Sequence, residues 1–250
     1  MSQIFPQPSQ TTAPAGGNRA ERLTALFRSD LFLRAEQEPG DHAAAPADAL
    51  HHFLLRAADA LGAQRVFEFG SGRSTSAFLQ HGLHVTSLED DARWMDDTLR
   101  QLDEAQIPDR RHAARVQPLK LKWRGGIPFR DWRLDGELAD AVAVADLVLI
   151  DSPFHVPFRI STLCAVLSLP TDALVVLDDT RIHTLRRACA RIARRNARRL
   201  HHAHVNVGHG FDCFARRDLD ITRPLTLRFG PLEILKGWRR YFLQPKPLGG

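Results

Sequence analysis

Three groups of residues in this chain are of types that do chemistry, and each closes a short apolar run. The first is Gly70-Ser71-Gly72, directly after Val66-Phe67-Glu68-Phe69. Two glycines in a turn let the backbone bend tightly and approach a ligand closely. The second is Glu89, at the end of the run His84–Leu88. A carboxylate there can accept hydrogen bonds from the two hydroxyls of a ribose. Strand, glycine turn, helix over Ser74–Gln80, second strand and terminal acid together make a nucleotide-binding βαβ half-unit. The third group is Asp151, closing Asp146–Asp151, with Asp178 and Asp179, closing Leu174–Asp179. Where those runs are neighbouring strands, their three carboxylates converge and repel unless a cation, a proton or solvent intervenes. A hard divalent ion with oxygen ligands would resolve the repulsion, so Asp151, Asp178 and Asp179 are candidate metal ligands. His155 follows Asp151 in a segment bounded by Pro153 and Pro157, and is a candidate proton acceptor. Arg159 and Arg181 flank the same mouth, either to bind an anionic group or to pair with Asp151 and Asp179.

The elements that must position these residues follow from periodicity. Residues 1–17 hold three prolines and almost no charge and are expected to be a disordered tail. Residues 18–62 are expected to form a helical extension. Its first helix covers Arg19–Arg34, and its second runs from Pro46 to Gly62 with Leu50, Phe53, Leu54, Ala57 and Leu61 on one face. After Glu89, Asp90 and Asp91 suit the start of a helix whose buried stripe is Trp94, Met95, Leu99 and Leu102. Ala114–Leu119 is a third strand, and Lys120–Trp132 reads as a long loop. Helices over Leu134–Ala145 and Arg159–Leu169 precede the fourth and fifth strands, Asp146–Asp151 and Leu174–Asp179, respectively. A helix over His183–Arg199 leads to strands His204–Val207 and Phe211–Ala215, joined at Gly208-His209-Gly210. Alternating strands and helices imply an α/β domain over residues 63–216. Its sheet is Rossmann-like, seven-stranded and mostly parallel, with helices on both faces and an antiparallel terminal β-hairpin. Residues 217–250, with four prolines, form a C-terminal extension carrying one amphipathic turn at Leu232–Phe242.

Composition narrows the class. A hydrophobic fraction of 44% and a charged fraction of 25% are those of a globular domain. The longest apolar run, Ala141–Ile150, is interrupted by Asp146 and is about half of what a membrane span needs. The N-terminus shows no basic stretch followed by an apolar one, so no signal peptide is expected. Cys164, Cys189 and Cys213 lack CxxC spacing and read as core residues in a reducing, cytoplasmic compartment. The net charge of +5 is concentrated between Arg181 and Arg199, where eight arginines stand, and no acid occurs between Asp179 and Asp212. This is either a solvated helix face or a contact for a polyanion: acidic polysaccharide, nucleic acid or anionic lipid. The helix has no interleaved aromatics, which argues against single-stranded nucleic acid.

Taken together these residues resemble the class I S-adenosylmethionine (SAM) dependent methyltransferases over roughly Leu50 to Ala215. Glu68-Phe69-Gly70-Ser71-Gly72 is similar to the family's acidic-x-Gly-x-Gly turn. Glu89 is similar to its ribose-binding acid, and Asp151 to the acid at the end of strand four beside the methyl donor. The resemblance implies SAM as cofactor, held by Glu68, Gly70, Ser71, Gly72, Glu89 and Asp151, with Asp151 and His155 as catalytic residues. Glu68 would hold the glycine loop or the amino-acid portion of the ligand. Ser74 stands where a third glycine is common, and a serine there suits a helix N-cap. Asp151 and Asp178-Asp179 are similar to the acids of metal-dependent catechol-type O-methyltransferases, which use Asp-Asn after strand five. Here Asp179 replaces the Asn, and no lysine follows Asp151 at close range. The implied reaction is O-methylation of a small-molecule or sugar-containing (glycan) acceptor. Two other readings stand beside it. One is an NAD-type Rossmann oxidoreductase, against which Thr75 occupies the third glycine position of the dinucleotide fingerprint. The other is a non-catalytic polyanion-binding protein of the same fold.

Overall fold

The computed structural model describes residues 18–32, 35, 46–107, 109–124, 127–153, 156–217 and 225. The expected tail over residues 1–17 and the turn at Leu232–Phe242 lie outside the described residues. Each apolar run becomes a strand: β1 Arg65–Phe69, β2 His84–Glu89, β3 His112–Val116, β6 Leu147–Ile150, β7 Leu174–Leu177, β8 Leu200–Val205 and β9 Phe211–Arg216. They form one sheet in the order β3-β2-β1-β6-β7-β9-β8. All pairs are parallel except those made by β9, which runs antiparallel to both β7 and β8. This is the mostly parallel, seven-stranded sheet with a terminal hairpin that the sequence implies.

Helices cover both faces because the strands alternate two apolar sets. Val66, Leu147, Leu149, Leu174 and Val176 share a core with α1 (Arg19–Arg28), α2 (Pro46–Leu61), α3 (Arg73–Gln80) and Leu102 of α4 (Ala92–Glu104). Phe67, Phe69, Val148, Ile150, Val175 and Leu177 share the other with α5 (Glu137–Val144), α6 (Val156–Ser168) and α7 (His183–Arg195). Strands buried on both faces read as continuous apolar runs, which is why β6 and β7 were legible. The N-terminal helices are part of this packing. Arg19 of α1 hydrogen-bonds the carboxylate of Asp146 at the foot of β6, and Asp146 Oδ2 also accepts from Gln64 N and Arg65 N at 2.7 Å each. Desolvation raises the pKa of Asp146, but these three donors outweigh it and hold the group below the ordinary carboxylate range.

Register sets the level of the strand tips. Phe69 lies beside Leu88 and Ile150, and Ile150 beside Leu177. The residues that follow, Gly70, Glu89, Asp151 and Asp178, therefore emerge together along the carboxyl edge of the sheet. Because β9 is antiparallel, its first residues reach the same edge: Thr180 N donates to Gly210 O and Arg181 N to His209 O, both at 2.8 Å.

Several boundaries and two elements differ from expectation. Lys120–Trp132 is not a loop: β4 (Lys120–Arg124) and β5 (Ile127–Asp131) form a separate antiparallel ribbon. The alternation Leu121-Lys122-Trp123-Arg124 before two glycines is a hairpin pattern, and Pro128 is tolerated because a two-stranded ribbon has open edges. Buried Asp131 anchors the ribbon to α6 by accepting from Ser161 Oγ at 2.7 Å. Trp94 is not in the buried stripe of α4: Met95, Thr98 and Leu102 are, whereas Trp94 is 58% exposed. The arginine-rich helix ends at Arg195 and β8 begins at Leu200, earlier than the expected His204. Among the described residues no helix is long and apolar enough to cross a membrane.

Candidate functional site

The glycine turn is built on a buried acid. Glu68, 1% exposed, accepts from Ser74 Oγ at 2.7 Å, from Ser87 Oγ at 2.6 Å and from Thr75 Oγ1. It thus ties the start of α3 to β1 and β2. Ser74 is not the N-cap. Gly72 holds that position, and Ser74 spends its hydroxyl on Glu68. Desolvation lifts the Glu68 carboxyl to about 7 despite the three hydroxyl donors. Of the two roles the resemblance implied for Glu68, these contacts serve the first, holding the loop.

Gly70 and Gly72 carry φ of +101° and +144°, values that side chains rarely adopt. A Cβ on Gly70 would lie 3.1 Å from Ser152 Cβ, so the tips of β1 and β6 nearly touch. Ser152 N donates to Phe69 O at 2.8 Å, and Ser152 Oγ to Asp90 Oδ1 at 3.0 Å, which ties the β6 tip to the residue after Glu89. Glu89, 5% exposed, accepts from Ser71 N at 3.0 Å and Ser71 Oγ at 3.3 Å through one oxygen. Its other oxygen accepts from Asp90 N at 2.9 Å and Asp91 N at 3.3 Å. Burial pushes this carboxyl up to about 6, against those N–H donors. The Ser71 hydroxyl also lies 3.2 Å from Thr98 Oγ1, so Glu89 is not its sole partner. Trp94 completes this corner: its indole N–H donates to Ser71 O at 2.6 Å, which sets an exposed aromatic ring over the glycine turn.

On the other side of β1 stand the acids. Asp151, Asp178 and Asp179 each bring one carboxylate oxygen within 4.8 Å of the others. Asp179 has φ of +60°, an uncommon conformation for a non-glycine residue and one found at functional sites. Arg159, 4% exposed, lies among them, with Nη2 3.2 Å from Asp151 Oδ1 and Nη1 2.7 Å from Asp179 Oδ2. Desolvation raises the Asp178 carboxyl to about 7, and repulsion from Asp151 and Asp179 adds to it. Asp151 is raised also, by desolvation first, with Arg159 opposing and Asp179 reinforcing. As metal ligands these residues fit poorly, because a buried guanidinium already stands among them and contacts one oxygen each of Asp151 and Asp179.

His155 lies outside the described residues. A histidine the sequence reading passed over does join the cluster: His209 Nδ1 is 3.2 Å from Asp179 Oδ1. The signal for it was topological, since a strand returning beside β7 must begin at the carboxyl edge.

No family model matches the chain, and no curated protein matches it. Solved structures similar to it include a methyltransferase from Geobacter sulfurreducens, at 16% identity and a TM-score of 0.47, covering 79% of this chain and 97% of that one. The methyltransferase PaMTH1 from Podospora anserina, bound to S-adenosylhomocysteine (SAH), is similar at 14% identity and a TM-score of 0.46, over 87% of this chain and 100% of that one. The N-terminal domain of human METTL16 in complex with SAH is similar at 12% identity and a TM-score of 0.44, over 67% of this chain and 70% of that one.

Proposed function

We propose that this chain is a SAM-dependent methyltransferase acting on a hydroxyl of a small-molecule or sugar-containing acceptor, with residues 63–216 as the catalytic domain. One observation carries the reading. Buried Glu89 at the tip of β2 is hydrogen-bonded to the backbone N–H of Ser71 in the positive-φ turn at the tip of β1. That pair stands at the carboxyl edge on the β2 side of β1, next to the point between β1 and β6 where the strand order reverses and open α/β sheets bind ligands. Glu89 is the residue to take the ribose hydroxyls, and Gly70, Ser71 and Gly72 the backbone that approaches the ligand. A dinucleotide is disfavoured. Its pyrophosphate needs free N–H groups at the helix start, yet Gly72 N already donates to Thr75 Oγ1 at 2.9 Å.

Bound SAM would supply an electrophilic methyl group, and the protein's work is to align the acceptor and take its proton. Asp151 is the residue proposed for the second task; it lies at the β6 tip beside Gly70, with its side chain 49% exposed. Its raised pKa makes it a stronger proton acceptor than an ordinary carboxylate. His155 and His209 are the histidines proposed to assist at this mouth. Calorimetry should show heat of binding with SAM and SAH and none with NAD; binding of NAD alone would replace this reading with the oxidoreductase one. Asp151→Asn should lower kcat by about 100-fold or more while changing SAH affinity far less. An unchanged kcat would remove Asp151 from the chemistry.

Two secondary features support further placement. Cys164, Cys189 and Cys213 are all buried in the core, which suits a reducing compartment such as the cytoplasm. On α7, Leu185, Ala188, Cys189 and Ile192 are buried, and Arg186, Arg187 and Arg194 are exposed, forming a basic face for a polyanion. Retention on an immobilised acidic polysaccharide should fall with salt and with the Arg186→Ala/Arg187→Ala pair. Retention indifferent to both would leave α7 as a solvated helix face.

A further inference from the structure

Three convergent acids at the tips of β6 and β7 are the arrangement for which a divalent ion is the simplest remedy. The protein has another remedy. Arg159 reaches in from α6 with its guanidinium almost wholly buried. Nη1 bonds Asp179 Oδ2 at 2.7 Å and lies 3.4 Å from Asp178 O. Nη2 lies 3.2 Å from Asp151 Oδ1, and Nε donates to Pro153 O at 3.0 Å. Every nitrogen of the fork is thus directed at the rim of the site, and a planar fork is suited to bridging two carboxylates. A hard ion would bind carboxylate oxygens of the same three residues at about 2.0–2.6 Å, and its charge would repel the buried guanidinium already among them.

We propose that Arg159 is the resident cation of this site, a positioning residue that holds Asp151 and Asp179 in the place a divalent ion would take, so that turnover needs no metal. The consequence for turnover rests on the methyltransferase reading; the consequence for metal binding does not. Removing the guanidinium should unmask a cation site made by the three aspartates.

Titration of the whole protein with Mn2+, without SAM, tests this directly. The wild type should bind no Mn2+ more tightly than about 1 mM, and chelator should leave its turnover unchanged. Arg159→Met should gain Mn2+ affinity by about tenfold or more, losing it again when Asp151→Asn is added. Arg159→Lys, which keeps a cation, should gain none. In Arg159→Met, kcat should fall and be partly restored by Mn2+, a response that loss of packing alone would not give. Wild-type Mn2+ binding that Asp179→Asn abolishes, or chelator-sensitive turnover, would overturn the proposal. So would a folded Arg159→Met with no new affinity. Should the methionine variant lose its circular dichroism, the wild-type titration and chelator assay decide the matter. SAH calorimetry on the wild type separates the two claims: absence of SAH binding would remove the methyltransferase reading, while the Mn2+ results would still judge Arg159.

Discussion

Replacing Gly70 with alanine is expected to weaken SAH binding by about 100-fold, at the upper end of what a single methyl group can do through backbone strain. Two effects combine at this residue. Its φ of +101° lies beyond the left-handed region that asparagine or aspartate tolerates, and holding another residue there costs about 1–3 kcal/mol. The new Cβ would also meet Ser152 Cβ at 3.1 Å and Ser152 N at 3.4 Å. Ser152 cannot step aside freely, because its N–H is bonded to Phe69 O and its hydroxyl to Asp90. The turn must therefore relax away from β6, carrying Ser71 N off Glu89, and binding must drive it back at the cost of that strain. Each 1.4 kcal/mol is a factor of ten in affinity. Gly82→Ala is the control. Gly82 also has positive φ, +87°, but its Cβ would meet only the end of the Arg111 side chain. It should lose stability without losing affinity. Equal affinity loss in both variants would show the effect at Gly70 to be general destabilisation.

The contrast between these two glycines shows what the sequence could carry. Strand existence and topology class were legible because strands buried on both faces advertise themselves as apolar runs, and because glycine and acid close them abruptly. The carboxyl-edge acids followed from the same logic, and Asp151, Asp178 and Asp179 do converge. What periodicity cannot reveal is which of several hydrogen-bonding options a side chain takes. Ser74 suits an N-cap in isolation, yet the charge of buried Glu68 outcompetes a helix terminus for its hydroxyl. Trp94 falls on the apolar period of α4, yet its N–H is held by Ser71 O, so tertiary contact overrides the stripe. Arg159 was visible as a cation near the mouth; only the three-dimensional structure decides between binding a ligand and bridging two aspartates.

Glu68 carries the second large expected effect, and it is on stability rather than binding. Its carboxyl moves from an ordinary value of 4.5 to about 7 on folding, driven by desolvation. A group whose folded pKa is raised binds its proton more tightly in the native state, so its stabilising share is complete below about 4.5. That share is then lost as pH rises through about 7. A shift of this size corresponds to about 3 kcal/mol of stability removed across the window. Asp178 and Glu89, raised to about 7 and about 6, push in the same direction, so the wild type should be markedly more stable at the acid end of this window than above it. The hydrogen-bond chain gives Glu68 a way to exist in both states. Ionised, it accepts from Ser74, Thr75 and Ser87; protonated, it can donate to Ser87 Oγ, whose hydroxyl then turns to His112 Nε2 at 2.8 Å. Glu68→Gln keeps a carbonyl acceptor and a donor in that position without the titration. Relative to wild type, its unfolding free energy from urea titrations should therefore improve by about 3 kcal/mol between the acid and alkaline ends of the window. The remaining pH dependence would belong to Asp178, Glu89 and Asp151, opposed by His201, whose pKa burial lowers. If Glu68→Gln shows the same fall with pH as the wild type, the titrating group is elsewhere, and the buried acid under the glycine turn stays ionised throughout.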